Sequence, residues 1–212
     1  MKSRAFFAEL IGTFALVFIG AGAAAAGTGG LVGVALAFGL VYTVFIYLFG
    51  EISGGHFNPA VTFGVALNGS IKWVTAVFYW IAQCLGAIVA AALLLYIFNG
   101  AGNGLGATVL ASGVNPLQGL VVEAVLTFLL VTSVLFGAVE GYAGKRAGFV
   151  IGLTLSFSIL MGGSLTGASL NPARTLGPAI FSGTLGEFWI YLVGPFVGAA
   201  LAAVADRFLV KK

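Results

Sequence analysis

The sequence predicts an all-α membrane protein: six transmembrane helices plus two half-length helices, arranged as an inverted repeat. Three observations carry this. First, of 212 residues 60% are hydrophobic and only 7% charged, whereas soluble domains carry about 25% charged residues. Second, the apolar runs are long and unbroken rather than alternating. Lipid offers the backbone no hydrogen-bond partners, so such runs must close their own bonds as helices. Third, motifs in the first half of the chain recur, correctly spaced, in the second.

A span needs about 20 apolar residues. Six such runs lie at about 5–26, 31–50, 74–98, 117–139, 147–163 and 188–209. The first begins after Lys2 and Arg4, as a secretory leader would. It is long for a leader, however, and Glu9 interrupts it, so it reads as a mature span. Two further stretches, about 59–67 and 172–180, are too short to cross. Each opens on Asn-Pro and ends near a glycine, Gly69 or Gly183. Asparagine suits the N-cap and proline the first helical position, so both read as half-helices that start inside the protein.

The charges fix the orientation. Eight of the nine Lys and Arg residues (Lys2, Arg4, Lys72, Lys145, Arg146, Arg207, Lys211 and Lys212) fall at the termini or in the two even-numbered loops. That side is expected to be cytoplasmic, with both termini there. The ninth, Arg174, opens the second half-helix. An ionisable residue at membrane depth points to function.

From Glu9 the chain reads E-L-I-G-T-F, and from Glu123 E-A-V-L-T-F. S-G-G-H-F-N-P-A-V-T begins at Ser53 and T-G-A-S-L-N-P-A-R-T at Thr166. Glu9 precedes Asn58 by 49 residues and Glu123 precedes Asn171 by 48. Two matches in register mark a duplication, with repeats at about 5–98 and 117–209 inside one transmembrane domain of residues 1–212. Each repeat holds three spans, an odd number, so the halves insert in opposite orientations. The half-helices then meet near the midplane, N-terminus to N-terminus, because irregular backbone at membrane depth is tolerated only within protein or beside water. Each N-terminus carries about half a positive charge, so together they oppose cations. Asn58 and Asn171, followed by Pro59-Ala60 and Pro172-Ala173, can offer amide N–H groups to a passing water.

These signatures resemble those of the aquaporin, or major intrinsic protein, family over essentially the whole chain, including Glu9, Glu123 and A-F-G-L at 37–40. In that family the half-helix dipoles are the established barrier to protons and cations. The resemblance implies a passive water channel that excludes ions and protons, with small neutral solutes sharing the pore to some extent. A glycerol or small-solute facilitator is the alternative it leaves open. It also implies a second constriction at Phe38, Ile159, Ala168 and Arg174. The set is closest to those of archaeal and plant vacuolar members. Histidine is common in water-selective members where Ile159 stands. Thr175 and Ala179 suit water channels, while Leu192 departs from the usual Trp. Glu9 and Glu123 match buried glutamates that hold the loop before each half-helix, and His56 matches a loop histidine near the cytoplasmic mouth. The resemblance further implies a homotetramer with one pore per subunit, in the cell membrane.

Other classes fit less well. An ion-coupled transporter needs a site that changes charge, and only Glu9 and Glu123 are candidates. One histidine and one cysteine supply neither a nucleophile–base pair nor a metal cluster, so the chain is not read as an enzyme and no cofactor or metal is implied. The partners expected are water and the bilayer, not nucleic acid. Cys84 reads as a small core residue of the third span. Small-residue faces such as Gly86-x-x-x-Ala90 and Gly194-x-x-x-Gly198-x-x-x-Ala202 suit close helix packing, within the bundle or between subunits.

Overall fold

The computed structural model describes residues 3–210; Lys2, Lys211 and Lys212 lie outside them. Six of its helices are long and apolar enough to cross a membrane. Helix α1 spans Ser3–Ala25, α2 Gly30–Ser53, α4 Trp73–Ile97, α5 Pro116–Val134 with a π-helical continuation over Leu135–Val139, α6 Ala147–Thr166 and α8 Phe188–Leu209. The half-helices are α3, Pro59–Asn68, and α7, Pro172–Ser182. The chain is thus a multi-pass integral membrane protein.

Local chemistry explains the boundaries. Asn58 and Asn171 cap α3 and α7 in extended conformation, each with proline at the first helical position. Gly69 and Gly183 end the two half-helices in the left-handed conformation. A capping box between Asn115 and Gln118 starts α5, with Pro116 behind it. Two spans outrun the sequence reading by about a turn. Helix α2 continues through Glu51 to Ser53, because Glu51 stands exposed on the wall of a wide vestibule. Helix α6 runs on past Gly163 to Thr166, where Gly167 ends it in the left-handed conformation. Gly162 there is packed beneath Leu126 and Val122, where a side chain would not fit.

The packing repeats with the sequence. Helix α1 lies along α4, α5 along α8, and α2 against α6. Gly86 of α4 sits where a Cβ would overlap the Leu10 carbonyl oxygen, and Gly198 of α8 where one would overlap that of Ala124. These glycines let helix backbones touch, so both small-residue faces serve contacts within the subunit. Large apolar side chains such as Val74, Phe78, Leu201 and Val204 point outward, as lipid-facing positions should.

Candidate functional site

Each half-helix is preceded by a loop that turns back into the protein. This backbone is costly: Phe57, Ala168 and Leu170 are non-glycine residues at φ 47°, 44° and 55°, each worth roughly 1–2 kcal/mol of strain. Two buried glutamates hold it. Glu9 Oε1 accepts from Ser53 Oγ (2.6 Å) and the His56 N–H (2.9 Å), and Oε2 from the Phe57 N–H (2.7 Å) and Gln83 Nε2 (2.7 Å). Glu123 Oε1 accepts from Thr166 Oγ1 (2.7 Å) and the Ser169 N–H (2.9 Å), and Oε2 from the Leu170 N–H (2.7 Å). Both glutamates are fully buried. Such charge-assisted bonds are about twice as strong as neutral ones.

The two half-helices meet through a reciprocal lock. Asn58 Nδ2 donates to the Leu170 carbonyl at 2.8 Å, and Asn171 Nδ2 donates to the Phe57 carbonyl at 2.9 Å. Each amide oxygen meanwhile caps its own helix, accepting from Ala60 and Val61 N–H or from Ala173 and Arg174 N–H. An amide has two N–H groups, so each asparagine keeps one donor. Both asparagines line a cavity of about 10 Å³ together with Leu16, Leu130, Tyr42 and Leu155, roughly the room one water needs. Ala60 and Ala173, at the second helical positions, are fully buried beside it.

Phe38, Ile159, Ala168 and Arg174 line the same cavity, so the structure brings the four together. The Arg174 guanidinium lies 5.0 Å from the centre of the Phe38 ring and donates to the Gly106 carbonyl at 2.7 Å. That carbonyl belongs to the 99–115 connection, which folds into the mouth: Asn103 bonds the Ala25 carbonyl, Ala111 bonds Leu165, and Leu110 bonds Glu187. Arg174 is therefore positioned by a loop the sequence reading left unstructured. Beyond the neck the passage widens to about 560 Å³ at the end lined by Leu31, Asn103 and Gly163, and to about 630 Å³ at the end lined by Glu51, His56 and Lys145. His56 is buried, its Nδ1 3.1 Å from Thr62 Oγ1. Burial pushes its imidazole below the usual histidine range, although the Glu9 carboxylate opposes this.

Sequence reasoning missed several supports. Tyr79 and Tyr191 donate to the Ser53 and Thr166 carbonyls at 2.9 and 2.7 Å. The Ser53 and Thr166 side chains also accept from the Gly55 and Ala168 N–H groups. Aligning the repeats reveals the last pair, since S-G-G and T-G-A occupy matched positions. Leu16 and Leu130 were equally legible, each seven residues, or two helical turns, after its glutamate. Cys84 lies half-buried on α4 and does not line the neck.

Two opposed half-helices inside six spans, with a narrow passage between two vestibules, define an inverted-repeat channel. The major intrinsic protein profile matches residues 1–205, and the chain belongs to that family. It is 42% identical over 214 residues to Aquaporin TIP2-3 of Arabidopsis thaliana, covering 95% of this chain and 85% of that protein. It is 44% identical over 211 residues to Glycerol uptake facilitator protein-like 6 of Lactiplantibacillus plantarum, covering 96% and 97%. The aquaglyceroporin of Plasmodium falciparum, known from an X-ray structure, superposes with a TM-score of 0.86 at 26% identity, covering 99% of this chain and 97% of the other.

Proposed function

We propose that this chain is a passive water channel in which Asn58 and Asn171 orient water at the neck while Phe38, Ile159, Ala168 and Arg174 select what enters it. The observation that carries the reading is the lock between the half-helices. It leaves one N–H donor per asparagine beside a cavity of about 10 Å³. A water that accepts from both donors must point its own hydrogens away from them, which interrupts a proton-conducting chain. The paired helix dipoles and Arg174 add positive potential to a constriction of low dielectric, which excludes cations. Leu16, Leu130 and Leu155 offer no competing hydrogen bonds, so water exchanges partners only at defined points. Glu9, Glu123 and His56 support the loops.

The names of the relatives include both an aquaporin and a glycerol uptake facilitator. The narrow neck favours water; Ile159, which is apolar, and Ala168, which is small, favour some passage of small neutral solutes. Residues 1–212 act as one channel domain built from the repeats at 5–98 and 117–209. The charge pattern supports an orientation with both termini in the cytoplasm, and the family resemblance supports a homotetramer in the cell membrane. The glycerol-to-water permeability ratio in proteoliposomes tests the filter. It is expected to be low, to fall further in Ile159→His and to rise in Ile159→Gly. A high ratio indifferent to residue 159 would remove Ile159 from the filter.

A further inference from the structure

The hydrogen bonds between Glu9 and His56 form a chain whose polarity assigns a proton. Gln83, fully buried, places Nε2 2.7 Å from Glu9 Oε2 and 2.9 Å from Thr62 Oγ1, and Thr62 Oγ1 lies 3.1 Å from His56 Nδ1. Two polarities are self-consistent. In the first, Glu9 is a carboxylate and both Gln83 amide hydrogens are used, one on Glu9 and one on Thr62. Thr62 then turns its own hydrogen to Nδ1, and the imidazole hydrogen resides on Nε2. Only Gln83 Oε1 is left without a partner, as observed. In the second, a protonated Glu9 donates to a reversed Gln83 amide, Thr62 donates to the same oxygen, and His56 must carry its hydrogen on Nδ1. The Gln83 NH₂ group then lies buried with two unpaired donors in place of one unpaired acceptor, which is the worse arrangement. Glu9 also receives two backbone N–H groups and the Ser53 hydroxyl, a donor set that suits an anion.

We propose that Gln83 and Thr62 are positioning residues that hold His56 as the neutral Nε2–H tautomer and turn that N–H toward the cytoplasmic vestibule as a donor to water. Nε2 lies beside Gly54, 2.8 Å from where a Cβ at that position would stand, and both residues line the vestibule. In the second repeat Ser169 replaces the histidine, with Thr175 at 2.6 Å in the place of Thr62 and Thr108 behind it at 2.7 Å. Only the cytoplasmic mouth therefore carries a titratable ring. The groups that face this ring are Glu9 behind it, Tyr79 edge-on at 5.4 Å, and Glu51 and Lys145 across the vestibule; the Tyr42 hydroxyl is engaged by the His56 carbonyl. Protonating Nδ1 would make Thr62 accept from both neighbours and leave its own hydroxyl hydrogen unpaired. The His56 ring accordingly stays neutral in mild acid.

His56 is the sole histidine, so solid-state ¹⁵N NMR of histidine-labelled protein in bilayers reads one ring. Expected is a protonated Nε2 and an unprotonated Nδ1 at neutral pH, unchanged as the pH is lowered through the ordinary histidine value of about 6.5. Thr62→Val should give mixed tautomers and titration nearer that ordinary value, and Thr62→Ser should restore the single species. An Nδ1–H tautomer or an imidazolium in the parent at neutral pH overturns the proposal, as does a Thr62→Val spectrum identical to the parent's. The parent spectrum decides the tautomer even if a variant fails to fold. Only the functional consequence, water flux constant over the same pH range, rests on the channel reading. A protein with the Nε2–H tautomer and no water flux would refute that reading and leave the tautomer assignment standing.

Discussion

Replacing Glu123 with glutamine is the sharpest structural perturbation of the pore, because it changes one atom where no neighbour can adapt. Oε1 accepts from Thr166 Oγ1 and the Ser169 N–H, and the Leu170 N–H at 2.7 Å is the partner of Oε2. Glutamine can keep the first two bonds on its oxygen. Its NH₂ group then faces the Leu170 N–H, donor against donor. A hydrogen bond to a charged group contributes about 1.5–3 kcal/mol and a buried orphan costs about 1–3 kcal/mol, so a net loss of about 3 kcal/mol is expected. Leu170 and Ala168 sit in left-handed conformations at φ 55° and 44°; without the carboxylate they relax, and the Leu170 carbonyl leaves Asn58. On total stabilities of roughly 5–15 kcal/mol this is large. It should lower the thermal unfolding midpoint in detergent by about 10 °C, and water flux should fall with it. Glu51→Gln, the same charge change at an exposed site, should alter stability by no more than about 0.5 kcal/mol. A Glu123→Gln protein as stable and as conductive as the Glu51→Gln control would refute the claim that the carboxylate holds the loop.

Arg174→Val tests the electrostatic barrier. Two unit charges 5.0 Å apart, the spacing between the Arg174 guanidinium and the Phe38 ring, repel by about 3 kcal/mol at an effective dielectric near 20. Cation leak measured as conductance in planar bilayers should therefore rise of the order of a hundredfold while water still passes; an unchanged conductance would place the barrier elsewhere. Mercurials should leave the parent unaffected, because Cys84 does not line the neck. Ala168→Cys should make water flux mercurial-sensitive, and strong inhibition of the parent, lost in Cys84→Ser, would contradict that placement.

How far the sequence could be read depended on periodicity and repetition. The six spans and both half-helices were legible because apolar runs and Asn-Pro caps act locally. The lock was half legible: the asparagines announced themselves by recurring, but bonds from Asn58 to Leu170 and from Asn171 to Phe57 join atoms over a hundred residues apart. Gln83, Tyr79 and Tyr191 lie in apolar spans with nothing local to distinguish them from interface residues, and only the fold shows what they hold. The anchoring of Arg174 by the Gly106 carbonyl was beyond reach, since residues 99–115 carry glycines and small side chains without periodicity. The helix end at Glu51 was misjudged because a charge there faces a wide vestibule, and α6 runs on past Gly163 to Thr166 before Gly167 ends it in the left-handed conformation.

The central claim is passive, proton-tight water conduction through the neck lined by Asn58 and Asn171. Its most direct measurement is stopped-flow osmotic shrinkage of proteoliposomes loaded with a pH-sensitive dye, with an impermeant osmolyte outside. The account predicts water permeability well above that of empty vesicles, with a low activation energy, no dependence on ion gradients and no added proton leak. Permeability at the lipid background, or flux that collapses with the ion gradients, would contradict it.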